Sequence, residues 1–190
     1  MRNRFIYRGH VRLWHLLCAS LLAAMLLSGC TPAITRYEGQ LPKLDLRQYF
    51  SGKVRAWGMV QDYRGAVTRR FTVDIDCRWQ GDTGTLDEQF VFADGEKQFR
   101  RWTLTRIDDL HYRGRADDVI GEAVGELAGN ALRWSYTLRL PVDGSSYDIA
   151  FDDWMFLQDE QRLFNKARMS KFGIDVGEIT LFFEKQVEAK

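Results

Sequence analysis

Apolar and polar residues alternate along most of the chain from Phe50 onward. In FTVDIDCRW, one face of an extended strand would hold Phe71, Val73, Ile75, Cys77 and Trp79. Further sets with the same period are Leu86, Phe90 and Phe92; Leu132, Trp134, Tyr136, Leu138 and Leu140; and Tyr147, Ile149, Phe151, Met155 and Leu157. A period of two is typical of strands with one buried face. The pattern therefore predicts a series of half-buried β-strands.

Turn residues separate these strands at Gly81-Asp82, Asp94-Gly95 and Gly129-Asn130. Gly129-Asn130 predicts a tight hairpin. Short strands at regular spacing, each with one apolar face, indicate a barrel or a sandwich. We predict an all-β fold, an antiparallel barrel of the lipocalin or calycin kind with about eight to ten strands. One short helix is predicted over Asp159–Met169 (DEQRLFNKARM).

Four glycines lie along one segment, at positions 114, 121, 125 and 129. Glycine in a strand marks a bulge where the sheet bends, or a place where another group approaches the backbone closely. The sequence favours bulges. Room for the aromatic side chains of the next strand is the alternative.

The N-terminal segment has a different character. Four arginines and no acid precede an apolar run, Leu13–Leu27. At about fifteen residues this run is short for a membrane-spanning helix, which needs roughly 20. A basic start followed by a short apolar core predicts a secretory signal peptide. The run ends in Leu27-Ser28-Gly29-Cys30, which resembles the lipobox of bacterial lipoproteins. That resemblance implies cleavage between Gly29 and Cys30, diacylglycerol on the Cys30 sulfur and an acyl chain on its new amino group.

The chain is therefore expected to have three parts: a signal peptide over 1–29, a lipidated tether over 30–49 and a barrel domain over 50–190. The expected partner of Cys30 is a membrane, because several acyl chains on one residue make a stable anchor. Thr31 follows Cys30, and Gram-negative sorting rules then imply the periplasmic face of the outer membrane. The alternative is an ordinary signal peptide, or an uncleaved anchor, that happens to end in cysteine.

Charge and cysteine number narrow the functional classes. The chain holds 27 basic and 26 acidic residues. Without the four arginines of the signal segment, 23 basic residues stand against 26 acidic ones, a net charge near −3. A nucleic-acid-binding domain is usually clearly basic, so no nucleic-acid partner is expected. Cys18 leaves with the signal and Cys30 is acylated, so Cys77 is the one remaining thiol and no intramolecular disulfide forms.

Neighbouring residues on a strand point to opposite faces, and this parity separates the acidic residues. In DDWMFL, Asp153 shares the apolar face and Asp152 falls on the other one. The same test places Glu88 and Arg69 on apolar faces. A buried carboxylate is costly unless it is paired or neutralised. We therefore expect Arg69, or another inward base, to pair with Glu88 or Asp153.

The candidate ligand-binding residues are accordingly Arg69, Glu88, Trp134, Tyr136 and Asp153. A polar cluster inside an apolar barrel would orient the head group of a fatty acid or lipid. Alternatively, the cluster is an ion pair that closes one end of the barrel.

Conventional catalytic and metal-binding motifs are not found. His111 is the one histidine outside the signal segment, and one His with one Cys cannot build the usual zinc site. No nucleophile elbow occurs. Cys77, on an apolar strand face, is expected to be an inert core residue. We expect no catalytic residue, metal or cofactor, although an enzyme that uses interior carboxylates such as Glu88 and Asp153 stays open.

Several stretches resemble one family. LDEQFVFADGE, RRWTL, ADDVIGEAVGELAGNALRWSYTLRLPVDG, DDWMFL and NKARMSKFGIDVG closely resemble a proteobacterial lipoprotein family, domain of unknown function 3833. The resemblance covers nearly all of the mature chain. It implies a periplasmic lipoprotein with a lipocalin-like barrel, encoded near enzymes that modify membrane fatty acids. The family has no established activity, so the resemblance identifies no functional residues.

The expected function is binding or carriage of a fatty acyl or other lipid-like apolar ligand in the cell envelope. Two alternatives stay open. One is the enzyme acting on acyl chains through interior carboxylates. The other is a structural or interaction protein whose barrel is filled and whose surface carries an apolar patch.

Overall fold

A computed structural model describes residues 32–142 and 144–186, and the residues from Ile34 onward belong to the barrel domain. A short 3₁₀ helix, Ile34–Tyr37, and a one-turn helix α1, Leu46–Tyr49, come first. The described strands are β1 Gly52–Asp62, β2 Val67–Gln80, β3 Thr83–Phe92, β4 Lys97–Arg106, β5 His111–Arg115, β6 Ala123–Ala128, β7 Ala131–Val142, β8 Ser145–Leu157, β9 Arg162–Lys171 and β10 Ile174–Lys185. The predicted signal peptide, its cleavage site at Gly29 and the lipidated Cys30 lie outside the described residues.

The ten described strands form a closed barrel. Each strand pairs antiparallel with the next one, and β10 pairs with β1 in a ladder that runs from Val54–Lys185 to Asp62–Gly177. Closure gives each described strand a neighbour on both sides, so these strands have none of the exposed edges of an open sheet. The predicted antiparallel barrel of about eight to ten strands is confirmed, and so is the hairpin at Gly129-Asn130, which joins β6 to β7.

The apolar sets read from the sequence fill the barrel. On β2, Val73, Ile75 and Cys77 are buried, and Leu132 and Trp134 are buried on β7. A second, smaller apolar cluster consists of Leu138, Ile149, Phe151 and Ala167. Burial of these faces drives folding, at about 25 cal/mol for each Å² of apolar surface removed from water.

The helix predicted over Asp159–Met169 is wrong. This part of the chain contains β9, which pairs with β8 on one side and β10 on the other. Leu163, Asn165 and Ala167 are buried at alternate positions, as a strand requires. Pairing on both sides overrides the local helix propensity of the charged segment. The single α-helix among the described residues is therefore α1, and none of the helices described is long and apolar enough to cross a membrane.

Residues 44–50 close one end of the barrel. Leu44, Leu46, Tyr49 and Phe50 are each 3% exposed or less. Asp45 begins α1, because its carboxylate accepts hydrogen bonds from the backbone N–H groups of the two residues at positions 47 and 48. A polar cap and an apolar face thus fold this short segment over the barrel end.

Two side-chain hydrogen bonds fasten the same segment to the strands. The Tyr49 hydroxyl donates to the Gln161 carbonyl at 3.0 Å, and the Trp79 indole N–H donates to the Phe50 carbonyl at 2.7 Å. The stretch expected to be a tether over 30–49 is therefore part of the packed domain from Leu44 onward. Its apolar residues cover this end of the barrel. They are too few to show an alternating pattern in the sequence.

Two of the four glycines make room for Trp134. The ladders on both sides of β5 and β6 run without a register shift, so the bulges favoured from the sequence are not present in these described strands. A Cβ atom at Gly114 would lie 2.4 Å from the Trp134 ring, and one at Gly125 would lie 2.5 Å from it. The alternative, space for an aromatic side chain, is correct for these two. Gly121 and Gly129 instead have positive φ angles, 72° and 53°, between strands.

A row of aromatic side chains crosses the outer face of the barrel from β8 to β1. Phe156 pairs across the ladder with Phe164, Phe164 with Phe182, and Phe182 with Trp57. Tyr37 packs on the β8 end of this row, with its ring 5.2 Å from that of Phe156. Trp57 and Phe164 stay 40% and 46% exposed, so this part of the surface is apolar.

Candidate functional site

The interior of the barrel contains a cavity of about 130 Å³ between the capped end and the smaller apolar cluster. Most of its wall is apolar and rich in aromatic rings, among them Phe71, Phe90, Trp102, Trp134 and Phe183. Five side chains bring polar atoms to the wall: Glu88, Arg100, Tyr136, Asp153 and Asn165. An apolar cavity with a few convergent polar groups is the usual form of a small-molecule site.

Four of the five residues selected from the sequence meet at this cavity. Glu88 comes from β3, Trp134 and Tyr136 from β7, and Asp153 from β8. Their inward orientation follows from parity, because each shares a face with buried apolar neighbours on its own strand. The barrel curvature then brings strands that are distant in sequence to the same interior space.

Asp153 is a buried carboxyl group with one partner. It is 6% exposed, and the Tyr136 hydroxyl donates to its Oδ2 at 3.2 Å. Its Oδ1 has no hydrogen-bond partner among the described residues. Burial raises the pKa of Asp153 from 3.8 to about 7, which the hydrogen bond from Tyr136 opposes. Burial, together with the charge of Asp153, also raises the pKa of Tyr136 well above 10, so Tyr136 keeps its proton as a donor.

Asn165 lies beside Asp153 on the next strand and is only 2% exposed. Its ladder partner is Met155, two residues from Asp153 on the same face of β8. Neither Oδ1 nor Nδ2 of Asn165 has a partner within the part of the chain that the structure describes. A buried amide without partners costs about 1–3 kcal/mol for each unmade bond, so this side chain is retained at an appreciable cost in stability.

Arg100 is the base that stands near the interior acids. Its Nη1 lies 4.0 Å from Oε2 of Glu88. Its Nη2 donates to Oδ2 of Asp118 at 2.6 Å, and its Nε donates to the same oxygen at 3.0 Å. Burial raises the pKa of Glu88 from 4.5 to about 7, against the opposing charge of Arg100. Glu88 and Arg100 therefore both line the cavity, and Asp118, which does not line it, holds the guanidinium from the other side.

The expectation that Arg69 pairs with an interior acid is wrong. Arg69 lies near the start of β2, at the barrel end opposite α1, and its Nη2 donates to Asp94 at 3.1 Å and also to Glu96. Its guanidinium stacks 3.6 Å from the centre of the Phe92 ring. Close to the strand end, a long side chain reaches the carboxylates of the next turn more easily than the interior. The inward-facing basic residue that lies near an interior acid is Arg100 instead.

Asp152 and Asp153 point to opposite faces, as parity predicts. Arg133 donates through Nε to Asp152 at 2.7 Å on the outer face. These two neighbours are therefore not a catalytic pair. One is an ion-paired surface group, and the other belongs to the cavity.

The two remaining reactive side chains lie away from the cavity wall. Cys77 is 2% exposed, and burial raises the pKa of its thiol to about 12, which keeps it protonated and unreactive. His111 is exposed, and its ring Nδ1 lies 2.8 Å from Asp108. Within residues 32–142 and 144–186, no group of three or more His, Cys, Asp or Glu side chains is placed to hold a metal ion.

Sequence reasoning missed two residues of the cavity wall, Arg100 and Asn165, and also Asp118, the ion-pair partner of Arg100. The inward direction of Arg100 could have been predicted, since Arg100 shares parity with Trp102 and a buried leucine at 104. Asn165 was hidden because its segment was interpreted as a helix. Asp118 lies in the loop between β5 and β6, where no period exists to assign it a direction.

A closed antiparallel barrel with an interior, largely apolar cavity defines a lipocalin-like barrel protein. The chain belongs to the family described as "Protein of unknown function (DUF3833)", whose profile matches residues 24–185. No curated protein sequence matches it.

The solved structures that share the fold include two with TM-scores above 0.5. The S-type phycobiliprotein lyase of Guillardia theta is 10% identical, with a TM-score of 0.58 over 84% of this chain and 100% of that one. A protein of unknown function from the DUF3598 family of Nostoc punctiforme is 14% identical, with a TM-score of 0.54 over 76% of this chain and 50% of that one. At these identities the likeness concerns the barrel fold.

Proposed function

We propose that this protein binds an apolar, lipid-like ligand inside its barrel. The observation that supports this most directly is the cavity itself, with aromatic walls and a small set of buried polar groups. A barrel that served only as a structural element would gain stability by filling this space, because each cavity costs packing energy. Buried polar atoms without partners would also be replaced by apolar ones.

The cavity volume limits what enters. About 130 Å³ is close to the roughly 150 Å³ of an apolar cavity that accepts benzene, and it is below the roughly 300–1,000 Å³ of drug-sized sites. The proposed ligand therefore inserts a ring or a short part of an acyl chain. A longer chain requires side chains such as Phe90 or Met155, both only partly buried, to move aside.

We also propose that the protein is a lipoprotein held by acylated Cys30 at the periplasmic face of the outer membrane. The support is the order of features in the N-terminal sequence: arginines, a short apolar run and a lipobox-like ending. An anchored barrel would take up or hold its ligand at the membrane surface.

Catalysis on an acyl chain is the second candidate. Glu88 and Asp153 face one cavity, and burial raises the pKa of each to about 7, which suits general acid–base work at neutral pH. Such an enzyme would show a pH–rate profile that changes near pH 7, and it would lose its activity in Glu88→Gln. Binding stands first because it needs only the cavity.

The test is native mass spectrometry with lipid extraction on the full chain purified from its own cell envelope. Ala167 lines the cavity on β9, and Lys166 beside it faces outward. We expect a stoichiometric ligand on the wild type and on Lys166→Leu. Ala167→Leu should lose the ligand, because the added side chain occupies the cavity. Equal retention by both variants, or no ligand and no uptake of apolar probes by the wild type, would contradict the proposal.

A further inference from the structure

Two buried side chains at the cavity, Asn165 and Asp153, have polar atoms without a hydrogen-bond partner among the described residues, and these atoms indicate what the ligand carries. We propose that the bound molecule carries an uncharged group that both donates and accepts hydrogen bonds, a hydroxyl or an amide, and that this group lies against Asn165 and Asp153. This inference rests on the proposed binding function and specifies the chemical class of the ligand.

Asn165 supplies the first argument. Its amide offers one acceptor, Oδ1, and two donor hydrogens on Nδ2, and none of these makes a hydrogen bond of normal length within the described chain, although the amide lies near enough to the Asp153 carboxyl group to lower its pKa. At 2% exposure, water from outside the barrel does not satisfy them. A group that accepts from Nδ2 and donates to Oδ1 meets both requirements, and a hydroxyl or an amide is such a group.

Asp153 supplies the second argument. Tyr136 occupies Oδ2, and Oδ1 is left without a partner among the described residues. Parity places both residues on the inner surface of adjacent strands, and the ladder partner of Asn165 is Met155, two residues from Asp153. The open oxygen of Asp153 therefore adds a second hydrogen-bonding position for the same ligand group.

The charges of the site argue against an ionised carboxylate or phosphate. Of the cavity-lining side chains, Arg100 is the one cation, and Asp118 already holds its Nε and Nη2. Glu88 stands 4.0 Å from the same guanidinium. An anionic head group would enter beside two buried carboxyl groups without a free cation on the wall, and burying an unpaired charge is strongly unfavourable. The head group of a free fatty acid is thus the wrong partner for this interior.

The test compares four probes that share one benzene ring, which the cavity volume admits: toluene, benzyl alcohol, benzoate and benzylamine. Their dissociation constants would be measured at pH 7 on the full chain by titration calorimetry. Quenching of tryptophan fluorescence supplies a second signal, because Trp102 and Trp134 belong to the wall. We expect benzyl alcohol to bind roughly five- to tenfold more tightly than toluene, as one or two net hydrogen bonds would give. Benzoate should bind more weakly than toluene, and benzylamine more weakly than benzyl alcohol.

Asn165→Leu is the informative variant, because it keeps the side-chain volume and removes the amide. We expect it to bind toluene as tightly as the wild type does, or more tightly, and to lose the preference for benzyl alcohol. Lys166→Leu, one residue away on the outer face, should keep that preference. If Asn165→Leu does not fold, the order of the four probes on the wild type still decides the question.

The outcomes separate the two proposals. Benzoate or benzylamine as the tightest probe would overturn the inference while leaving the binding function in place. A preference for benzyl alcohol that survives in Asn165→Leu would overturn it too. If none of the four probes binds, toluene included, the proposed binding function itself is wrong.

Discussion

The Trp134 ring fits into the barrel because two other strands have a glycine, without a side chain, beside it. This ring lies against Gly114 on β5 and Gly125 on β6, and it packs 5.7 Å from the ring of Trp102. A buried indole held on several sides cannot move to admit a methyl group. Glycine is needed at both positions for space, and neither of them has a positive φ angle.

Gly125→Ala tests this arrangement. The new Cβ would lie 2.5 Å from Cε3 and Cζ3 of Trp134, so we expect overpacking to cost about 1–3 kcal/mol of unfolding free energy. Urea unfolding of the full chain measures the cost. In a Trp134→Leu background the same change should cost much less, because the clashing ring is gone. An equal cost in both backgrounds would contradict the assignment.

Asp153 makes stability depend on pH. Its pKa rises from 3.8 to about 7 on folding, so the folded chain binds more protons than the unfolded one between roughly pH 4 and pH 7. Stability from this group is therefore fully present below pH 4, falls through that window and is lost above pH 7. The charged and titratable groups near Asp153 are Tyr136 on the neighbouring strand β7, Arg100 on β4 across the barrel, and Asp152 beside it in the chain.

Asp153→Asn removes the titration and keeps an oxygen to accept from Tyr136. We expect the variant to be more stable than the wild type at pH 8, by at most about 4 kcal/mol. The gain should shrink towards zero at pH 4. Urea unfolding at pH 4, 6 and 8 would show it. Asp152→Asn is the control, since it loses an outer-face ion pair with Arg133 and should not stabilise the chain at pH 8. No gain for Asp153→Asn at pH 8 would refute the argument.

At the scale of elements, the short segment that includes α1 has a larger role than its length suggests. Leu46 is 2% exposed and belongs to the cavity wall, so one helical turn contributes to the barrel interior. Loss of this segment would expose the capped end and the cavity behind it.

Leu46→Ala should lower the unfolding free energy by about 2–5 kcal/mol, the usual range for a buried leucine. It should also enlarge the cavity and let it accept larger apolar probes. Gln48→Ala, on the exposed side of the same turn, should change stability little. Thermal unfolding and probe titration measure both effects. If residues 30–49 behaved only as a tether, Leu46→Ala would be neutral.

The strands show where sequence reasoning succeeds and where it fails. β2 and β7 each have five apolar residues in strict alternation, and β8 has five that are interrupted only by Asp153, so their inner faces were predictable. Most of β9 is polar, with Asn165 on its inner face, and the pattern loses its contrast there. Pairing with β8 and β10 decides its conformation, and such pairing is a tertiary effect. Similarly, Trp134 and the glycines opposite it can be understood only once the strands are adjacent.

The site was partly predictable for the same reason. Parity gives the direction of Glu88, Tyr136 and Asp153, but it does not give the partners of a residue. Arg69 and Arg100 both have inward parity, and only the three-dimensional arrangement shows that Arg69 reaches the turn of Asp94. Cavity volume depends on the packing of all the side chains together, so no local pattern contains it.

At the scale of the whole molecule, we predict that acyl chains on Cys30 anchor the barrel domain to a membrane. Cys30→Ala should not incorporate labelled palmitate, since no sulfur at position 30 can then carry an acyl chain. Cys77→Ala is the matched control and should keep the label. Metabolic labelling measures both. Label that survives in Cys30→Ala would contradict the anchor.

The ladder between β1 and β10 has a consequence for how the chain folds. Every other ladder joins consecutive strands and can form as the chain emerges, whereas β1 must wait for β10, the last strand. Contacts between residues so distant in sequence form slowly. Until they form, the apolar inner surface and one edge of β1 are open to other chains, which favours aggregation. A chain that stops short of β10 therefore leaves β1 and β9 each without the partner that closes the barrel.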